Sequence, residues 1–146
     1  RMKRANLYIE GSSVSLRKGE KQYGYIIEAE SNGHPVTVGD FGRAEGSYHL
    51  VTLTALIEAL KRYSKPSEIH IYCPNGYVLG QFRNIKTWLK NDFKTVKGKP
   101  VKDEESWRKV ACLTAQHEVI TEAGEHSSYS GWIHAEMVKR KEVEDV

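Results

Sequence analysis

The stretch GSYHLVTLTALIEALKRYSKPSEIHIYC, residues 46–73, decides the fold class because it predicts a helix followed directly by a strand. Apolar residues recur at helical spacing over residues 46–63, at Leu50, Leu53, Leu56, Ile57 and Leu60. Ser47 is a suitable N-cap for this helix, and Pro66 blocks its continuation. Residues 68–73 then alternate polar and apolar side chains, as a half-buried strand does. The helix is therefore predicted to be a crossover between two parallel strands of an α/β fold.

Three β-prone segments precede this stretch and are separated by turn signals. They are residues 5–10, 22–30 and 35–41. The dipeptide Asn32-Gly33 predicts a tight hairpin between the second and third segments. We therefore expect an antiparallel meander of three strands.

The second half of the chain predicts further helices and one more strand. The expected elements are a helix over 82–91, a helix from an Asp103 cap to about residue 115, a strand over 117–121, and a helix from Ser130 or Gly131 to about Lys141. The order is βββαβ, then helices, then βα. It predicts an α/β domain with a mixed five-stranded sheet, three strands antiparallel and two parallel, and helices on both faces.

The length of 146 residues fits one domain. We interpret residues 1–4, where Arg1 precedes Met2, as a tag or linker remnant, residues 5–142 as the domain, and residues 143–146 as a frayed tail. The sequence shows no run close to the roughly 18 apolar residues that a membrane helix needs, and no signal-peptide pattern at its start. These features predict a cytoplasmic domain without membrane association, and they are compatible with a piece of a larger protein.

A segment that we call the basic arm, residues 83–102, holds seven basic residues and one acid, Asp92. The formal net charge of the whole chain is only +3, so the remainder of the chain is net acidic. Concentrated positive charge of this kind favours a nucleic-acid partner, and the alternative is a solvated surface whose tryptophans serve only the core. The candidate contact residues are Lys86, Lys90, Lys94, Lys97, Lys99 and Lys102, with the interleaved Trp88 and Trp107.

Four motifs follow one another along the chain: YIEGSS at 8–13, LTALIEAL at 53–60, IYCPNGYV at 71–78 and, most distinctively, WLKNDFKTVKGKPVKDEESW at 88–107. In order and spacing they resemble the ribonuclease H family, in its bacterial type with a basic protrusion, over residues 6–141. The resemblance implies a ribonuclease H-like fold, in agreement with the predicted element order. It also implies an enzyme that cuts the RNA strand of RNA–DNA hybrids.

The family's chemistry uses two divalent ions held by about four carboxylates. Two hard cations about 3.5–4 Å apart repel each other, so they need several anionic oxygens to share. The resemblance places these residues at the four acid positions: Glu10, then His49, then Pro74, and last His134 or Ala135 according to the register. Glu10 is the only surviving acid, so no magnesium site is expected.

Two further features of the family's site have counterparts here. If Glu10, His49 and His134 converge as the family's acids do, they form a set that suits zinc, manganese or nickel better than magnesium. The alternative is three unconnected polar side chains in a vestigial cleft. The resemblance also places Glu125, with His126 beside it, near the histidine of the family's mobile loop.

Three functions remain open from the sequence. The leading hypothesis is a catalytically inactive or strongly impaired ribonuclease H-like domain that binds duplex DNA or RNA–DNA hybrid through the basic arm, without a cofactor. The second is an active, divergent ribonuclease H that cleaves RNA in hybrids with a rearranged Mg or Mn site. The third is a protein-interaction module, because a fold does not fix a function.

Overall fold

The structure is a computed structural model that describes residues 2–123 and 127–144. The strands are β1 (Lys3–Gly11), β2 (Gly19–Ser31), β3 (His34–Gly46), β4 (Ser67–Cys73) and β5 (Glu118–Ala123). The helices are α1 (Tyr48–Leu60), α2 (Gly76–Gly80), α3 (Ile85–Lys90), α4 (Glu104–Thr114) and α5 (Ser130–Glu144). A 3₁₀ turn (Gln81–Asn84) joins α2 to α3.

The five strands form one sheet in the order β3-β2-β1-β4-β5. β2 pairs antiparallel with both β1 and β3, which confirms the predicted meander. β4 pairs parallel with β1 on one side and with β5 on the other, and α1 is the predicted crossover. The predicted α/β fold with a mixed five-stranded sheet is therefore confirmed.

Helices cover both faces of the sheet, as predicted. On one face α1 and α4 pack over a large core that includes Leu7 and Ile9 of β1. On the other face α5 packs over a smaller cluster formed by Tyr8, Ile26, Ile133 and Met137. Because successive side chains of a strand point to opposite faces, Glu10 lies on the α5 face together with Tyr8. The packing of α5 therefore decides what surrounds Glu10.

The first strand starts earlier than predicted. Lys3 and Arg4, which we interpreted as part of a tag or linker remnant, lie in β1 and pair with Ser67 and Glu68 of β4. Both side chains are exposed, so the sequence shows no apolar alternation there, and the backbone pairing alone makes them part of the strand. β1 therefore begins two residues before the predicted strand over residues 5–10.

Several element ends also differ from the predictions. β3 continues to Gly46, beyond the predicted end at residue 41. The predicted helix over residues 82–91 is divided into the 3₁₀ turn and the short α3. At the end of the chain, α5 continues to Glu144, beyond its predicted end at about Lys141, while residues 145 and 146 lie outside the described residues.

Two capping predictions have different outcomes. Ser47 is the N-cap of α1, and its Oγ accepts a hydrogen bond from the Leu50 backbone N–H at 3.2 Å, as predicted. Asp103 precedes α4 as predicted, but its backbone is left-handed, with a φ of 58°, and its side chain makes no capping hydrogen bond. The Asp103 carboxylate therefore does not cap α4.

Within the described part of the chain, no helix is long and apolar enough to cross a membrane.

Gly24 of β2 leaves room for a side chain of α5. A Cβ at this position would lie 2.7 Å from Ile133 Cγ2 and 2.7 Å from the ring of Phe41. We predict that Gly24→Ala lowers the free energy of unfolding by about 1–3 kcal/mol, because the added methyl overpacks this contact. Urea denaturation followed by circular dichroism measures the change.

Gly131, in the first turn of α5, is the matched control because a Cβ there would meet nothing within 4 Å. Gly131→Ala should cause no loss of stability, since alanine has the higher helix propensity. A Gly24→Ala protein as stable as the original would contradict the close packing of α5 on β2.

Candidate functional site

Glu10, the surviving acid of β1, is buried, with only 3% of its surface exposed. Ser130 Oγ donates to its Oε2 at 2.6 Å, and His134 Nε2 donates to its Oε1 at 2.9 Å. A buried carboxylate is strongly unfavourable unless hydrogen-bond donors or opposite charge compensate it. Both donors come from α5, so this helix supplies the compensation.

The two donors reach Glu10 because of their spacing. Ser130 and His134 are four residues apart in α5, which places both side chains on the same side of the helix. Ser130 is the first residue of the helix, where the helix dipole also favours a nearby negative charge. Of the two residues considered for the family's last acid position, His134 is the one whose side chain contacts Glu10. Ser130 was not identified from the sequence.

A second carboxylate, Glu28 of β2, holds the start of α5 in place. Its side chain accepts hydrogen bonds from Tyr129 Oη at 2.6 Å, and from Tyr8 Oη and Asn6 Nδ2 at 3.2 Å each. The bond from Tyr129 is the main cause that lowers the pKa of Glu28. Since Tyr129 immediately precedes Ser130, this contact positions Ser130 against Glu10. It joins residues 101 positions apart, which no local pattern reveals.

His49 of α1 lies in a different set of contacts. Its Nδ1 accepts a hydrogen bond from Asn75 Nδ2 at 3.1 Å, and its ring stacks on Tyr77 with a centroid distance of 4.4 Å. Burial is the main cause that lowers the pKa of His49, and nearby Lys102 adds to it; Asp103 and the Asn75 bond act in the opposite direction. His49 is therefore a neutral imidazole near pH 7.

Asn75 fixes the tautomer of His49. Its Oδ1 accepts from the Val78 backbone N–H at 3.1 Å and caps α2, so the amide nitrogen must face the other way. That nitrogen donates to both His49 and Thr52 Oγ1. Asn75 itself is 2% exposed. Its position between Pro74 and Gly76 is typical of a turn or cap, which is the sequence signal that could have identified it.

The end of β4 offers no metal ligand in place of the family's acid. Pro74 has no donor atom in its side chain, and Cys73 beside it is buried. Burial raises the pKa of the Cys73 thiol to about 12, so it stays protonated. Cys73 is a packed thiol and not a nucleophile.

The structure brings Glu10 and His134 together but does not complete the proposed set of Glu10, His49 and His134. Among residues 2–123 and 127–144, no group of three or more His, Cys, Asp or Glu side chains is placed to hold a metal ion. The transition-metal set is therefore corrected: His49 is held by Asn75, while Glu10 is held by α5. One carboxylate with two protein donors does not fit a pair of divalent cations. Glu125 and His126 lie outside the described residues.

The basic arm projects its lysines into solvent. Lys94 and Pro100 form an antiparallel bridge, and the turn between them is closed by Thr95 N–H to Lys99 O at 2.7 Å and by Gly98 N–H to Thr95 O at 2.8 Å. Gly98 has a φ of 81°, a conformation that glycine adopts without strain. The exposed lysines are Lys86, Lys90, Lys94, Lys97, Lys99 and Lys102.

Arg108 of α4 holds the base of the arm. Its guanidinium donates to the Asp92 side chain at 2.8 Å, donates to Glu104 at 2.8 Å, and lies 4.7 Å from the centre of the Phe93 ring. The hydrogen bond and charge of Arg108 lower the pKa of Asp92. The only acid of the arm is thus engaged by an arginine that the sequence pattern did not single out.

The two tryptophans differ in accessibility. Trp107 is 3% exposed and packs against Phe82 and Trp88 at centroid distances of 5.6 and 5.3 Å. Its proposed role in nucleic-acid contact is therefore wrong, because a buried ring cannot stack on a base. Trp88 is half-buried and also contacts Phe93, so it supports the arm while keeping an exposed edge.

Comparison with known proteins places this arrangement in a family. The family model for RNase H matches residues 2–135. The protein named Ribonuclease H from Campylobacter curvus is 30% identical over 119 residues, which cover 81% of this chain and 77% of the relative. Ribonuclease H from Nitrosospira multiformis is 34% identical over 95 residues, which cover 63% of this chain and 61% of the relative. With other curated relatives, the chain spans only about half of their length.

Solved structures agree on the fold. LC9-RNase H1, described as a type 1 RNase H with the type 2 active-site motif, aligns with a TM-score of 0.74 at 12% identity, covering 92% of this chain and 70% of that chain. The family match extends over nearly the whole sheet and its helices, including β1 with Glu10 and the basic arm. This chain belongs to the RNase H family.

Proposed function

We propose that this chain is an RNase H domain that binds duplex DNA or RNA–DNA hybrid through the basic arm and has lost metal-dependent cleavage. The observation that carries the proposal is the contrast between two charged regions. In the arm, six lysines are exposed and the single acid is paired with Arg108. At the former acid cluster, the one remaining carboxylate is buried and bonded to Ser130 and His134.

The arm supports binding for an electrostatic reason. Each lysine that neutralises a phosphate releases condensed counterions, which gives sequence-independent affinity. Arg108 offsets the charge of the Asp92 carboxylate, which would otherwise repel phosphates from the arm. The bridge between Lys94 and Pro100 gives the lysines a defined backbone to project from.

The loss of cleavage rests on the donor set. Two divalent ions need several carboxylate oxygens, and the positions that would supply them hold His49, Pro74 and His134. The proposed function therefore requires neither Mg nor Mn as a cofactor. The competing function is an active, divergent ribonuclease H, which the relatives named Ribonuclease H favour. The third candidate function is a protein-interaction module.

The cellular context is also part of the proposal. We take the domain to act in the cytoplasm. We also propose that it acts as one module of a larger protein.

Substitution of the arm lysines tests the binding surface. We predict that Lys94→Gln, Lys97→Gln and Lys99→Gln together weaken binding to duplex and hybrid of any sequence alike. The slope of log K against log salt should fall by about 1 for each lysine that contacts a phosphate. Fluorescence anisotropy across a salt series measures both quantities.

The matched control replaces three exposed lysines outside the arm, Lys61, Lys65 and Lys139, with glutamine. It removes the same net charge and should leave most of the affinity in place. If the two triple variants lose affinity equally, the effect comes from net charge and the arm is not the contact surface.

Incubation with a labelled RNA–DNA hybrid tests the loss of cleavage. With Mg²⁺ or Mn²⁺ present, we predict no more cleavage by the original protein than by Glu10→Gln, because one carboxylate cannot hold the ions. Gel electrophoresis of the RNA strand measures the products. Robust cleavage that disappears in Glu10→Gln would establish the active divergent enzyme instead.

A further inference from the structure

A cleft of about 350 Å³ lies between the base of the arm and the body of the domain. Its walls come from α1, α2, the 3₁₀ turn, the arm and the start of α4. The volume is at the lower end of the range for small-molecule sites, which is about 300–1,000 Å³. The cleft is separate from Glu10, which does not line it. It adjoins the arm, because Thr95 and Lys102 are among its lining residues.

The cleft contains an aromatic platform. Tyr77 stacks on His49 with an interplanar angle of 25°, and 56% of Tyr77 is nevertheless exposed. Trp88 lines the cleft as well. Exposed aromatic rings held by a second ring are the surfaces on which proteins stack unpaired nucleobases.

The cleft also presents hydrogen-bonding groups that suit the edge of a base. Asn84 Nδ2 donates to Gln81 Oε1 at 2.8 Å, so the two side chains are held together. The other half of each amide, an acceptor on Asn84 and a donor on Gln81, has no hydrogen-bond partner among residues 2–123 and 127–144. Both residues line the cleft, and an amide donor and an amide acceptor are the groups that hydrogen-bond to the polar edge of a nucleobase.

Other polar and charged groups of the cleft suit further parts of a nucleotide. Lys102 suits the phosphate of a nucleotide. Asp103, which lines the cleft and does not cap α4, suits an exocyclic amino group or a sugar hydroxyl, because a carboxylate accepts hydrogen bonds from both. His49 keeps its proton on Nε2, since Asn75 donates to Nδ1. It can therefore donate one hydrogen bond without adding charge.

We propose that this cleft binds one unstacked nucleobase of a single strand that adjoins the duplex held by the arm. The inference rests on the proposed function, because the arm brings the nucleic acid to the cleft. A base inside a duplex is stacked and paired, so it cannot enter a walled cleft of this size. The domain should consequently prefer a duplex with a single-stranded extension over a blunt one.

Fluorescence anisotropy with three hybrids of identical duplex sequence tests the proposal. One hybrid is blunt, one carries a short single-stranded extension, and one carries an extension of the same length made of abasic sites. The abasic extension keeps the phosphates and removes the bases. We expect the extension with bases to tighten binding about tenfold relative to the abasic one, as stacking of one or two bases does.

Variants assign this preference to the cleft. Tyr77→Ala should abolish it, Tyr77→Phe should preserve it because the ring remains, and Asn84→Ala should reduce it. Trp132→Ala is the control, since Trp132 is an exposed aromatic residue of α5 outside the cleft. Tyr77 is largely exposed, so Tyr77→Ala should fold, and thermal melting checks this.

Two results separate this inference from the proposed function. If the blunt hybrid binds through the arm lysines but the three hybrids bind equally, the base-binding cleft is overturned and the proposed function stands. A preference for the extension that persists in Tyr77→Ala overturns the cleft as well. If the blunt hybrid does not bind while a Tyr77-dependent preference remains, the duplex-binding arm fails and the cleft stands.

Discussion

The burial of Glu10 is the constraint on which the arrangement of the α5 face depends. A carboxylate with 3% of its surface exposed needs compensation inside the protein, and Ser130 and His134 provide it. These donors are in reach only while α5 starts in the right place, which the contact between Tyr129 and Glu28 secures. Gly24 then lets α5 lie close to β2. The hydrogen bonds of one buried residue thus depend on how a whole helix packs on the sheet.

This compensation has consequences for function. In a site that binds two divalent ions, the negative charge of several carboxylates is balanced by the metal. Here the single carboxylate is bonded to a serine and a histidine, so the balance is reached within the chain. The opposite charge is concentrated in the basic arm, which lies on another part of the molecule and faces solvent. The proposed binder without metal chemistry follows from this separation of charges.

Local patterns were sufficient to predict most of the fold. The leucine spacing and Ser47 cap of α1, the Asn32-Gly33 hairpin and the alternation in β4 each depend on a few neighbouring residues. Lys3 and Arg4 were missed because exposed basic side chains give no strand signal, although the backbone pairs with β4. Sequence patterns thus predict elements well where side chains, and not backbone pairing alone, define them.

The site was harder to predict because its contacts are long-range. Glu10 meets Ser130 across 120 positions, and Asn75 meets His49 across 26. Trp107 lies among the lysines in sequence, but its spacing could not show that its ring faces the core. The family resemblance named candidate positions without revealing which of them touch. Only the packing of α5 on β1 shows that His134 reaches Glu10 while His49 is held elsewhere.

The central claim is tested most directly by NMR. Mn²⁺ is added to protein labelled with ¹⁵N-histidine, and the histidine signals are followed. Paramagnetic Mn²⁺ broadens the signals of nearby nuclei, so it reports binding at Glu10 whether or not any reaction occurs. If Glu10 is compensated by Ser130 and His134, the His134 imidazole signals should stay sharp at stoichiometric Mn²⁺, as in Glu10→Gln. Selective broadening of His134 that is absent in Glu10→Gln would contradict the account.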